Sequence, residues 1–212
     1  MDHQNSIASS TDVLVFKGYP GVGKSTLSLQ VARALRAPRL DKDDVKDALH
    51  ASGLLRDEHS NRLAKEVLCK LVARQVECGV CEVLVDAPFG YAADMQALCA
   101  ALQPVARSSS RRVYVWVLDC VLKDESEWRR RVEERARRME SAGQHRPLTW
   151  AALRTCVDRY GPAVHYTDAW RGNAWHSLSE HLYVRTVQVD MERAKCCEVV
   201  QLLRGEVPSL DH

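Results

Sequence analysis

Eight residues constrain this chain more than any others: Gly18-Tyr19-Pro20-Gly21-Val22-Gly23-Lys24-Ser25, a Gly-x-x-x-x-Gly-Lys-Ser run. Just before it, Val13-Leu14-Val15-Phe16 is a short apolar run that reads as a buried strand. Just after it, Leu27, Val31 and Leu35 recur at helical spacing. A strand, a glycine-rich turn and a helix, in that order, are the setting in which such a run is a Walker A phosphate loop. The glycines let the backbone curl with its N–H groups inward, so that a nest of donors and a helix N-terminus together face a β-phosphate. Lys24, expected to stand exposed in the loop, would reach the β- and γ-phosphates of ATP, and the Ser25 hydroxyl would hold Mg²⁺.

The 212 residues suffice for one α/β domain with a sizeable core, and no Pro/Ser-rich or charge-run linker divides them. Residues 1–212 are therefore read as a single domain, with 1–11 as a disordered tail. A net charge of +2 provides no broad basic field, which disfavours long nucleic acids as obligatory partners. The segment Met1 to Ser6 has neither a signal-peptide nor a transit-peptide pattern, and no apolar run is long enough to cross a bilayer, so a cytosolic location is expected. The eight cysteines fall mostly at apolar positions such as Cys69 and Cys99 and read as reduced core residues. The single Cys-x-x-Cys, Cys78 to Cys81, closes one helix and enters a strand, whereas a redox pair should open a helix.

Pro38 to Leu40 reads as a second strand, followed by a helix whose start is acidic (Asp41, Asp43, Asp44) and which Gly53 stops. A longer helix runs from Asp57 to Gly79. Val83 to Asp86 is the third strand, about Tyr91 to Ala106 a helix, and Val113 to Asp119 the fourth strand. These strands are continuous apolar runs, as expected where helices cover both faces of a parallel sheet, and Asp41, Asp86 and Asp119 end them at the edge where such sheets keep ligands. Asp124 should cap the next helix in a capping box with Glu127. That helix carries Trp128, Val132, Ala136 and Met139 on its apolar face, with Arg131, Arg135 and Arg138 along one flank. Thr149 to Tyr160 reads as a helix, 161–181 as irregular and aromatic, Tyr183 to Val189 as a fifth strand and Met191 to Leu203 as a closing helix.

Motor-type and AAA-type ATPases activate water with a Glu directly after the Asp of the third strand. Here Ala87 follows Asp86, which favours transfer to a hydroxyl over hydrolysis. A kinase needs a carboxylate to take the hydroxyl proton and cations over the moving phosphoryl group. The Asp41 to Asp44 cluster can supply the first, with Asp41 and Asp43 both open as the base, and the arginine flank can supply the second.

Gly18 to Thr26, Lys42-Asp43-Asp44-Val45-Lys46, Val83 to Asp86, the Arg131 and Arg135 helix and Val187 to Asp190 resemble the small P-loop kinases grouped around polynucleotide kinase, chloramphenicol phosphotransferase and zeta-toxin-like proteins. The resemblance implies a three-layer α/β P-loop NTPase fold of the nucleoside-monophosphate-kinase-like type. Its sheet has five parallel strands in the order 2-3-1-4-5, with a helical lid at about 121–147 and an unassigned insertion at 148–181. It implies that Gly18, Tyr19, Pro20, Gly21, Val22, Gly23, Lys24, Ser25 and Thr26 bind ATP, and that Ser25 and Asp86 hold Mg²⁺. By the same resemblance Lys24, Asp43, Arg131 and Arg135 are catalytic, and Asp43, Lys46 and Asp86 meet the acceptor. The family's final arginine, which holds a substrate phosphate in polynucleotide kinase, is Lys46 here, a point charge in place of a planar fork. The implied activity is ATP-dependent phosphorylation of a hydroxyl on a small molecule or nucleotide. A 5′-hydroxyl polynucleotide kinase and a non-catalytic ATP-binding switch are the alternatives.

Overall fold

The computed structural model describes residues 10–53, 58–138, 149–172 and 174–205. Fourteen elements follow one another: β1 (Ser10–Lys17), α1 (Lys24–Leu35), β2 (Arg39–Asp41), α2 (Lys42–Ala51), α3 (Glu58–Glu77), β3 (Glu82–Asp86), α4 (Ala92–Ser109), β4 (Arg112–Val121), α5 (Glu125–Arg138), α6 (Trp150–Tyr160), a 3₁₀ segment (Gly161–Trp170), β5 (His176–Ser179), β6 (Leu182–Asp190) and α7 (Cys196–Leu203). The sheet order is β2-β3-β1-β4-β6-β5.

The five expected parallel strands stand in the expected order, with β6 as the fifth. The sheet has one strand more than expected: β5 lies antiparallel to β6 at the edge, in the stretch read as irregular. Strand side chains alternate between faces, and this alternation divides the core in two. Val13, Val15, Val83, Val85, Val115 and Val117 meet α3 and α4 through Leu68, Val72, Leu98 and Leu102. Leu14, Phe16, Leu84, Leu118, Val187 and Val189 meet α1 and α7 through Leu27, Val31, Val199 and Leu202. Burial on both faces explains why the strands read as unbroken apolar runs.

Several expectations are corrected locally. Ser10 and Thr11, assigned to the tail, belong to β1, and Thr11 is fully buried; residues 1–9 lie outside the described residues. Asp124 does cap α5, its Oδ1 accepting from the Ser126 and Glu127 N–H groups, but Glu127 does not close the box. The Asp124 N–H donates instead to Glu192 Oε1 at 2.9 Å, while Glu127 pairs with Arg130 and Arg131. The closing helix begins only at Cys196, because Asp190 holds the chain in a turn through the N–H groups of Glu192, Arg193 and Ala194. Met139, the side chain of Arg138, Asp57 and residues 139–147 of the expected lid lie outside what is described. All eight cysteines are free thiols, and Cys78 and Cys81 are exposed between α3 and β3. Among the described residues, no helix is long and apolar enough to cross a membrane.

Candidate active site

The phosphate loop joins β1 to α1 at the C-terminal edge of the sheet. Gly23 caps α1 in a left-handed conformation and has no side chain to cap the helix end, so of the first-turn N–H groups only that of Thr26 is taken up, by the Gly23 carbonyl at 3.1 Å, among the described residues. Lys24 is not the exposed residue expected. It is only 8% accessible, and its Nζ donates to the Tyr19 carbonyl at 2.8 Å, so it is curled back under the loop. Burial lowers its pKa and Arg135 adds to that effect, while Asp86, Cys120 and Asp43 oppose it. Asp43, Asp86 and Arg135, which come from three other elements, line the same cleft as Lys24.

A cleft of about 770 Å³ opens beside the loop. Gly21, Gly23, Lys24, Ser25, Thr26, Asp43, Lys46, Asp86, Arg131 and Arg135 all line it. The remaining loop residues support it: Pro20 lines the cleft, Val22 is buried, Gly18 is held to the Pro88 carbonyl and Tyr19 packs against Trp128 and Tyr160. Of the three carboxylates expected at strand ends, Asp119 lies two residues inside β4, which runs on to Val121, and it does not line the cleft. It pairs with buried Lys17 at 2.8 Å and with the exposed Arg171 at 3.3 Å, linking β1 to the segment before β5.

Asp41 and Asp43 both line the cleft and differ in their contacts. Asp41 Oδ1 caps α2 by accepting from the Asp43 N–H at 2.8 Å, and its Oδ2 accepts from Arg39 at 2.6 Å. Burial and the nearby Asp86 raise the Asp41 pKa. Asp43 is one residue inside the helix, more exposed, and carries its carboxylate 3.1 Å from Lys42 Nζ on the cleft wall. Lys46 is 8% exposed, lines the same wall and makes no ion pair or hydrogen bond among the described residues; its pKa is lowered by burial and by Lys42.

Helix α5 lies directly on the loop. Trp128 Nε1 donates to the Pro20 carbonyl at 2.9 Å, and Arg131 donates to the carbonyls of Val22 at 2.9 Å and Met191 at 3.1 Å. The approach is so close that a Cβ at Gly21, where φ is 85°, would sit 2.6 Å from Val132 Cγ2; only glycine fits there. Arg131 is thus tied to backbone on two sides and to Glu127 at 2.7 Å, while Arg130 holds both Glu127 and Glu134.

Three contributions to the site were missed in the sequence. Arg39 bridges Asp41 and Asp86. Cys156, Arg159 and Tyr160 of α6 form part of the cleft wall. Tyr160 reaches it because Gly90 leaves room: a Cβ there would lie 2.2 Å from the tyrosine ring. Gly90, just past the third strand, was the available signal, but only the three-dimensional packing names its partner. Lys42, buried between Asp43 and Asn61, is the third.

The Ser25 hydroxyl and the Asp86 carboxylate are hard oxygen donors beside a buried ammonium and a helix N-terminus, a donor set that suits Mg²⁺ held jointly with phosphate oxygens. Among the described residues, no group of three or more His, Cys, Asp or Glu side chains forms a metal cluster.

A family model described as an AAA domain matches residues 13–161. No curated protein matches the chain. Among solved structures, a Chloroflexus aurantiacus protein provisionally described as a kinase is similar with a TM-score of 0.62 at 20% identity, over 93% of this chain and 99% of that one. A sugar kinase from Janibacter gives 0.53 at 13% identity, over 94% and 96%. Mycobacterium tuberculosis APS kinase in complex with AMPPNP and APS gives 0.51 at 17% identity, over 92% and 98%. The likeness is one of fold, the α/β phosphate-loop arrangement of P-loop kinases.

Proposed function

The chain belongs to the AAA domain family, and from that premise we propose that it is a cytoplasmic, ATP-dependent kinase that moves the γ-phosphoryl group to a hydroxyl of a small molecule or nucleotide. The observation that carries this reading is the convergence of Lys24, Asp43, Asp86 and Arg135 on one cleft at the phosphate loop. A pure nucleotide switch has no use for a carboxylate on the wall of the phosphate-loop cleft. Similarity in fold to a sugar kinase and to APS kinase favours a small acceptor.

In this reading the loop N–H groups and Lys24 bind and orient the phosphates, and Ser25 and Asp86 would hold Mg²⁺. The chemistry Mg²⁺ supplies when bound is neutralisation of charge across the β- and γ-phosphates. Asp43 accepts the proton of the attacking hydroxyl. Lys46, buried and in no ion pair or hydrogen bond among the described residues, is available to an acidic group on the acceptor. Arg135 neutralises charge that grows in transfer, and the α5 lid covers the loop and excludes water. The test is release of ADP from γ-labelled ATP with and without pooled metabolites. Label transferred to a product only when acceptor is present supports the kinase, whereas acceptor-independent release or none at all overturns it.

The two lid arginines should separate. Arg135→Ala is expected to lower kcat by at least about tenfold, some 1.4 kcal/mol of barrier, with little change in ATP affinity. Arg131→Ala removes donors to the Val22 and Met191 carbonyls and should weaken ATP binding and lower Tm as well as kcat. Steady-state kinetics with ATP titrations check this, and if neither variant loses tenfold in kcat, the lid assignment fails.

A further inference from the structure

Arg39 stands two residues before Asp41 on β2, so their side chains leave the strand on the same face. Asp41 is in register with Asp86 on β3, which sets two carboxylates level on adjacent strands, an arrangement that is unfavourable when left uncompensated. One nitrogen answers both: Arg39 Nη2 donates to Asp41 Oδ2 and to Asp86 Oδ2, each at 2.6 Å. The same guanidinium donates through Nε to Ser28 Oγ at 2.8 Å, and Ser28 Oγ lies 3.1 Å from Asp86 Oδ2. Ser28 is fully buried on α1, so Arg39 fastens β2, β3 and the helix of the phosphate loop to one another. Asp41 and Asp86 line the cleft while Arg39 does not, so the guanidinium grips them from behind.

We propose that Arg39 is a positioning residue for the metal-facing carboxylate. It takes up Oδ2 of Asp86 and leaves Oδ1 for the phosphate-loop side. As a built-in cation it also keeps the Asp41–Asp86 pair from capturing a divalent ion before nucleotide arrives. This rests on the proposed Mg²⁺–nucleotide site, yet its decisive arm requires no turnover. A planar guanidinium is needed for the orientation, because it spans three acceptors from one rigid group, whereas a lysine supplies only charge.

The experiment measures Mn²⁺ uptake by nucleotide-free protein, read from loss of the free-ion electron paramagnetic resonance signal, in wild type, Arg39→Met, Arg39→Gln and Arg39→Lys. Either neutral variant should bind one Mn²⁺ at least about tenfold more tightly than wild type, an effect abolished by adding Asp86→Asn. Arg39→Lys should leave Mn²⁺ uptake at the wild-type level but still raise the KM for Mg²⁺–ATP. If Arg39→Met does not fold, Arg39→Gln, which keeps hydrogen-bonding capacity, gives the same reading. Mn²⁺ uptake that is the same in wild type and the neutral variants overturns the proposal whatever the enzyme's acceptor proves to be. Absence of phosphoryl transfer in every protein, with the Mn²⁺ difference intact, overturns the kinase reading and leaves the role of Arg39 standing.

Discussion

Lys24→Ala is expected to reduce Mg²⁺-dependent ATP turnover to background. The ammonium neutralises charge that accumulates between the β- and γ-phosphates, and removal of one preorganised donor of this kind costs about 10²–10³ in kcat, before loss of phosphate binding is added. The effect on folding should be small for a reason the sequence did not disclose. Lys24 is buried and its folded environment disfavours its charge, so its loss relieves a desolvation cost while removing one hydrogen bond to Tyr19, a bond worth about 0.5–1.5 kcal/mol net. Circular dichroism and Tm should therefore stay close to wild type. Retention of full activity would sink the whole reading of the site.

Asp43→Asn should lower phosphoryl transfer by about two orders of magnitude or more, the usual worth of a positioned proton acceptor, with ATP affinity scarcely changed. Asp41→Asn is the paired control. Asn can still cap α2, but it meets Arg39 without a negative charge, so the expected consequence is a lower Tm with most of the kcat retained. Rates and melting curves on both variants decide the matter: a larger loss of kcat in Asp41→Asn would move the base by two residues.

The parallel sheet was legible because Val13 to Phe16, Val83 to Val85 and Val113 to Leu118 are apolar without interruption, a pattern that only double-sided burial requires. The loop was legible because its glycines, Lys24 and Ser25 sit at fixed offsets. What escaped was set by partners distant in the chain. Arg39 in a three-residue strand looks like a surface charge until β3 places Asp86 beside Asp41. Residues 161–181 show no periodicity, since ten of them form a 3₁₀ segment and the short β5 depends on β6 for pairing. Glu192, which takes the Asp124 N–H across 68 positions, could not be told from any other surface glutamate, whereas Glu127 stood at capping-box spacing and chose arginines instead.

The strand that was not foreseen has a consequence for the molecule in a crowded solution. A sheet ends in rows of unsatisfied backbone groups that invite another chain to add itself. Here both outer strands are stunted: β2 has three residues, and β5 has four, with its pairing thrown out of step between Ser177 and Ser179. Neither offers a length of straight ladder on which a second copy could grow. β5 also covers the free side of β6 over its first three residues, Leu182 to Val184, and the Arg171 bridge to Thr186 interrupts the edge of this nine-residue strand further along. The chain thus breaks up the regular ladder at both edges of the sheet, which discourages edge-to-edge association there.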